Sequence, residues 1–237
     1  MTTPIWQQIR ETLGKEISDG TFAAGVKLPT EADLSRRFGV NRHTVRRALA
    51  AMQDDGLVHA RRGSGVFVTA RPMTYRVGRQ TRFSQNLKDA GRSGDRQIIR
   101  LETLPATKAD AEHLELKHGD PVHTLEAIGL IDDVPTFLNH SIFPAATLPA
   151  FIETMRETRS ITRALAACGV EDYRRDWTRL SAERATGTVA RHLHVSEGAP
   201  LMVTRSLNRS ANGTAIEYAK TTLCADRIEL LIEADDK

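Results

Sequence analysis

The sequence predicts an α+β protein in two parts, with three helices and a hairpin in front and a mostly antiparallel sheet with scattered helices behind. Three observations carry this. Residues 5–54 show helical apolar spacing broken by cap and stop signals. Residues 57–69 switch to β-prone runs around a glycine-rich centre. Beyond about residue 81, strand-like runs recur with short helical stretches between them, a pattern that favours α+β. A length of 237 residues suits two modest domains. The expected boundaries are 1–70 for the front domain, 71–80 for a polar, basic linker and 81–237 for the second domain.

In the first helix Ile5, Ile9, Leu13 and Ile17 form one stripe behind Pro4, and Gly20 is the expected stop. Thr30 stands at an N-cap position with Asp33 three residues on, a capping-box variant, and Leu34 and Phe38 form the apolar side of a short second helix. Gly39 should end it. Asn41 should cap a third helix from Arg42 to about Asp54, with Val45, Ala48, Leu49 and Met52 inward. LVHARRGSGVFVT then reads as two strands around Gly63-Ser64-Gly65. Three helices followed by a hairpin in about 70 residues predict a winged helix-turn-helix.

Behind the linker, QIIRLETL, PVHTLEAIGLI, VPTFLNHSIF, WTRLSAERA, LMVTRSLNRS and TAIEYAKTTLC read as strands. Asp132-Asp133 joins one pair, and Asn212-Gly213, a strong hairpin turn, joins another. Helical stretches are expected near 107–116, 147–157, 160–168 and 185–194.

Composition narrows the function. With 40% hydrophobic and 27% charged residues the chain is an ordinary globular one, too apolar to be disordered. No apolar run approaches the ~20 residues of a membrane span. The N-terminal stretch MTTPIWQQIRETLGKE places charges where a signal peptide needs its apolar segment, so a cytoplasmic protein with no membrane partner is expected. Cys168 and Cys224 show no metal-ligand spacing and read as small core residues. His192 and His194, two apart on an expected helix, face different directions, so no metal site is expected. No nucleophile–base set or glycine-rich cofactor loop is visible, and neither an enzyme nor a cofactor is expected. The charge is uneven: residues 1–71 hold 11 Lys and Arg against 7 Asp and Glu, residues 72–96 hold 6 against 2, and the rest 16 against 21. A basic front suggests a polyanion partner.

The arginines sharpen this. Arg36, Arg37, Arg42, Arg46 and Arg47 fall within twelve residues. On a helical wheel His43 and Arg47 point away from the apolar face of the third helix, with Arg42 and Arg46 on a flank and at its start. Such a helix can enter the major groove, where an arginine grips guanine O6 and N7 with two bonds. Thr44 and the helix-start N–H groups can hold phosphates. Arg61 and Arg62 would lie against the backbone or minor groove, with Gly63 and Gly65 allowing close approach. Double-stranded operator DNA is the expected partner, read by a homodimer because one helix-turn-helix reads few base pairs.

The run KLPTEADLSRRFGVNRHTVRRALAAMQDDGLVHARRGSGVFV closely resembles the DNA-binding domain of the GntR family of bacterial transcription regulators, over about residues 5–69. Matched by position, the resemblance implies base and phosphate contacts from Arg42, His43, Thr44 and Arg46, and wing contacts from Arg62, Gly63 and Gly65; Arg47 and Ser64 complete the expected set. Ala32 stands where the family often has an arginine, so that contact is absent.

The second part resembles the HutC branch of that family, whose effector domain, called UTRA, has a chorismate-lyase-like fold. TRFSQNL, SITRALAACGVEDYRR, GAPLMVTRSLN and DRIEL are similar to the PhnF-type regulators of phosphonate utilisation. The resemblance implies a repressor of phosphonate uptake and degradation genes, controlled by a small anionic effector. A sugar phosphate, an amino acid or a histidine-pathway intermediate stays open as the ligand. TRFS offers a guanidinium, two hydroxyls and backbone N–H groups at a turn or helix start, which suits an oxyanion. Arg82 and Ser84 are the first expected contacts, with Thr81 and Phe83 beside them. In sugar-phosphate-sensing relatives two further arginines hold the ligand; here Ala127 and Gly129 occupy those positions. Arg179 and Arg205 are candidate replacements for the lost charge, with Arg205 the one placed in the expected site, and Glu217 and Thr222 on the final strand complete it.

Overall fold

The computed structural model describes residues 3–22, 25–61, 65–69, 72–79 and 81–233. It divides into two compact units, Met1–Arg71 and Pro72–Lys237.

In the front unit α1 (Ile5–Ser18) follows Pro4, and Ile9 and Leu13 are buried, whereas Ile5 at the start of the expected stripe is exposed. Helix α2 (Glu31–Phe38) opens with a full capping box. Thr30 Oγ1 accepts the Asp33 N–H and the Asp33 carboxylate accepts the Thr30 N–H, each at 3.2 Å, so two otherwise orphaned donors are satisfied. Gly39, at φ 65°, ends α2 in the left-handed conformation that glycine adopts without strain. Helix α3 (Arg42–Asp54) is capped by Asn41 Oδ1, which accepts the Thr44 N–H at 2.9 Å. Its inward residues Val45, Ala48, Leu49 and Met52 meet Ile9, Leu13, Leu28 and Leu34 in one core with Val58 and Val68 of the hairpin. Strands β1 (Val58–Arg61) and β2 (Gly65–Val68) pair antiparallel, and Lys27 bridges to Phe67 on the outer side of β2. The three helices and hairpin form the winged helix-turn-helix that the spacing predicts.

The second unit is built on six antiparallel strands in the order β4-β5-β6-β9-β8-β7. These are β4 (Gly94–Pro105), β5 (Pro121–Ile131), β6 (Val134–Pro144), β7 (Tyr173–Arg184), β8 (Pro200–Ser210) and β9 (Ala215–Cys224). Asp132 and Asp133 both take positive φ, 47° and 62°, which makes the β5–β6 turn. Helices α6 (Phe151–Thr158) and α7 (Ile161–Ala167) bury Phe151, Met155, Ala164 and Leu165 against Leu125, Ala127, Phe143 and Ile216. Helix α5 (Lys108–Leu114) packs through Ala111 and Leu114 on Val122, Ile142 and Leu207, and α8 (Gly187–His192) through Ala190 on Leu201 and Cys224.

Part of the expected linker is structured. Residues Met73–Arg76 form β3, which pairs parallel with β10 (Ile228–Leu231), a strand the sequence reading left out. Met73 and Ile228 are buried with Leu87 of α4 (Phe83–Asp89), Ile131, Phe137 and Leu223. The polar residues of 71–80 hide an alternation in which Met73 and Tyr75 pack inward. Asn86 of α4 locks β3 from the side. Its Oδ1 accepts the Arg76 N–H at 2.6 Å, and its Nδ2 donates to the Arg76 carbonyl at 3.3 Å.

Candidate DNA-contacting helix and effector cavity

Helix α3 presents Arg42, His43, Arg46 and Arg47 to solvent, on the side away from its buried face. Arg46 is held by Glu31 of α2 through two bonds, Nε to Oε1 at 3.1 Å and Nη2 to Oε2 at 2.8 Å. Those bonds hold the Glu31 carboxyl below its ordinary pKa, with Arg42 and His43 adding to the effect. The Arg46 side chain is 64% exposed, so solvent screens the pair. Arg47 is braced over the Trp6 ring of α1 at 4.7 Å. The Thr44 hydroxyl donates to Asn41 Oδ1 at 2.9 Å, so it is engaged in the helix cap. Of the wing residues, Arg62, Gly63 and Ser64 lie outside the described residues. Gly65 opens β2 at φ 114°, a backbone conformation that L side chains rarely adopt, so this position favours glycine.

In the second unit a cavity with about 110 Å³ of internal room lies between the sheet, α4, α7 and the β3–β10 pair. That space holds several waters or a small organic anion. Three arginines line it from three elements: Arg82 at the N-cap of α4, Arg96 on β4 and Arg175 on β7. Arg82 lies over the Tyr173 ring at 4.9 Å and donates to the Glu171 carbonyl at 3.1 Å. Arg96 lies over the Phe83 ring at 4.9 Å and donates to the Arg159 carbonyl at 3.4 Å. Arg175 donates from Nε to Asn208 Oδ1 at 2.6 Å and from Nη1 to Thr178 Oγ1 at 3.0 Å. The Nε–H groups of Arg82 and Arg96 are buried without an acceptor among the described residues. Among the described residues Glu217 is the one carboxylate in the lining, which leaves an excess of two positive charges. Burial lowers the Arg96 pKa and raises those of Tyr75 and Tyr173, so both phenols stay neutral at physiological pH and can donate or accept. Hydroxyls of Ser84, Ser160, Thr162, Thr204 and Ser206 fill out the wall.

The expected effector residues divide. Thr81, Arg82, Phe83, Ser84 and Glu217 line the cavity. Within this group the Thr81 hydroxyl is tied into a turn with Gly78, donating to its carbonyl at 2.6 Å and accepting its N–H at 2.8 Å. Phe83 meets Phe137 edge-on at 4.9 Å. Arg205 and Thr222, also expected at the effector, do not line the cavity. On β8 the cavity residues are Thr204, Ser206 and Asn208, and on β9 they are Glu217, Ala219, Thr221 and Leu223. Side chains alternate along a strand, so Arg205 and Thr222 fall on the opposite face. There Arg205 lies 3.7 Å from Glu183. Arg179 is also outside the lining, stacked at 5.0 Å on Trp177. A β-bulge between Arg175 and Trp177 shifts the register of β7 and lets Arg175 and Thr178 both reach the cavity.

Arg96 and Arg175 were missed. Arginines on strand-like runs usually face solvent, and only the bulge or the pairing partners could have placed these two inward. At the positions where sugar-phosphate-sensing relatives carry arginines, Ala127 is fully buried in the α6–α7 core, and the Phe137 ring covers Gly129. A Cβ on Gly129 would lie 2.0 Å from Phe137 Cζ, so an arginine has no room there.

Two family models match the chain, the gntR family of bacterial regulatory proteins over residues 5–68 and the UTRA domain over residues 89–229. The chain belongs to the GntR family. It is 35% identical to an uncharacterized HTH-type transcriptional regulator of Rhizobium meliloti, covering 98% of this chain and 96% of that one. It is 32% identical to the probable transcriptional regulator PhnF of Escherichia coli, over 96% of this chain and 94% of that protein. The crystal structure of PhnF from Mycobacterium smegmatis shares its fold, with a TM-score of 0.65 at 23% identity over 97% of this chain and all of that one. As a GntR regulator with a UTRA domain, the protein binds operator DNA and a small-molecule effector and is not an enzyme. Among the described residues no helix is long and apolar enough to cross a membrane.

Proposed function

We propose that this regulator is a cytoplasmic, homodimeric repressor of phosphonate uptake and degradation genes, released from its operator by a small phosphonate- or phosphate-type anion. The observation that carries the reading is the convergence of Arg82, Arg96 and Arg175 on one cavity, with two buried guanidinium N–H groups lacking acceptors among the described residues. Buried donors require partners, and a tetrahedral oxyanion supplies several acceptors at once. Similarity to PhnF along nearly the whole chain supports the same effector class. In the front unit Arg42, His43 and Arg46 read bases or phosphates from the start of α3, Thr44 and Arg47 support them, and Arg62, Gly63, Ser64 and Gly65 form the wing contact. The working boundaries are 1–70 for DNA binding and 81–237 for the effector.

A sugar phosphate is the second reading, favoured by the many hydroxyls in the wall. Fluorescence anisotropy on DNA from upstream of the protein's own gene, at about 0.15 M salt, separates the two. Release by a phosphonate or by phosphate supports the proposal. Tight binding that only a sugar phosphate relieves retires the phosphonate assignment and keeps the repressor.

A further inference from the structure

The cavity holds one carboxylate among three guanidiniums, yet that carboxylate has no direct ion pair among the described residues. Glu217 is 6% exposed. Its Oε1 accepts from the Ser141 hydroxyl at 2.9 Å and its Oε2 from Asn208 Nδ2 at 2.6 Å, both neutral donors. A buried carboxylate whose direct partners are all neutral meets the cavity's guanidiniums only at a distance, which leaves it able to take a cationic donor. Each carboxylate oxygen can accept about two hydrogen bonds, and among the described residues each accepts one side-chain bond. Asn208 is the reason Arg175 does not neutralise it. The amide stands between them, accepting from Arg175 on Oδ1 and donating to Glu217 from Nδ2. Arg82 and Arg96 lie over aromatic rings, each with a buried Nε–H that has no acceptor among the described residues. The same cavity therefore carries two unmet demands of opposite sign.

Resting on the reading of this cavity as an anionic-effector site, we propose that the effector is a small zwitterion, with a phosphonate or phosphate group at Arg82 and Arg96 and an ammonium on Glu217. An ammonium brings three donors and the compensating charge, whereas a hydroxyl brings one donor and no charge. The limited room in the cavity restricts the bridge between the two groups to a few atoms.

The test is calorimetric titration of the full chain with aminoethylphosphonate and with propylphosphonate, which have the same number of heavy atoms. A pH of about 8.5 keeps the ammonium protonated. The expected result is binding of the aminoethyl compound about 10- to 100-fold more tightly, the gain from a charge-assisted hydrogen bond. In Glu217→Gln that advantage should vanish while propylphosphonate affinity stays the same or rises. Equal affinities on the unsubstituted protein overturn the zwitterion and leave the anionic-site reading standing. An equal loss of both ligands in Glu217→Gln makes Glu217 only a brace for Arg175 and also overturns it. Failure of both compounds to bind overturns the anionic reading as well. The comparison on the unsubstituted protein stands whether or not the variant folds.

Discussion

Gly129 lies on β5 beneath the Phe137 ring, and its replacement by alanine tests how tightly the cavity wall is packed. The new methyl would stand 2.0–2.4 Å from three atoms of that ring, well inside contact distance. Phe137 is buried and meets Phe83 edge-on at 4.9 Å, so it has little freedom to yield. Overpacking of this kind costs roughly 1–3 kcal/mol. If the ring instead swings away, the aromatic pair forfeits about 0.5–1.5 kcal/mol. Alanine in a strand recovers roughly 0.5–1 kcal/mol of the backbone entropy that glycine loses on folding. The balance is a destabilisation of roughly 0–2.5 kcal/mol by overpacking, or at most about 1 kcal/mol if the ring swings, so the melting temperature should fall by up to about 10 °C for a chain of this size. Differential scanning calorimetry of the full chain reads it directly. Because Phe83 and Phe137 both line the cavity, effector affinity should drop with it while operator affinity holds. A melting temperature that rises by more than about 2 °C would refute the packing argument.

Arg46→Ala should weaken operator binding by ~1–3 kcal/mol and relax selectivity at one base pair if Arg46 leaves Glu31 to read a base; a uniform loss on all DNA sequences assigns it to a phosphate instead. Arg82→Ala should leave operator affinity nearly intact and abolish release by a phosphonate, and unchanged release removes Arg82 from the site. His123 gives a pH dependence. Its Nε2 donates to the Leu148 carbonyl at 3.0 Å, its Nδ1 accepts from Thr103 at 2.8 Å, and burial lowers its pKa. A histidine pKa lowered by folding contributes stability that is present above the unfolded value of about 6.5 and is lost as pH falls toward the folded one. The C-terminal unit should therefore lose up to about 1.4 kcal/mol per pH unit below about 6.5, and His123→Gln should flatten that slope; an identical slope in the variant refutes the assignment.

What the sequence disclosed depended on whether a residue's role left a local signature. Thr30, Gly39 and Asn41 are read from their neighbours alone, because caps and stops are set by the backbone within four residues. The inward face of α3 follows from its 3.6-residue period, since its other side meets solvent. The cavity had no such signature. Both faces of β9 are covered, so Ile216, Glu217, Leu223 and Cys224 are all buried and no alternation marks which side faces the ligand. A one-residue error in parity then exchanges Thr221 for Thr222, and the same error on β8 brings in Arg205. Arg96 and Arg175 were invisible for a related reason. Strand pairing and a bulge, not local sequence, turn them inward. Strands β3 and β10, four residues each, are stabilised by each other across more than 150 positions of chain, a separation that local pattern cannot bridge.

That pairing has a practical consequence for dissecting the protein. A fragment that begins where the UTRA model begins, at residue 89, lacks β3 and nearly all of α4, and with them Tyr75, Arg82 and the Asn86 lock. Cleavage after Asp226 removes β10, the one strand partner of β3 among the described residues, and the Arg76–Glu233 pair at 2.8 Å beside it. Ligand screens on an isolated effector domain should therefore use a fragment that starts ahead of Met73 and runs through Glu233. A shorter one would present a cavity with part of its wall gone and return weak binding for reasons unrelated to the ligand.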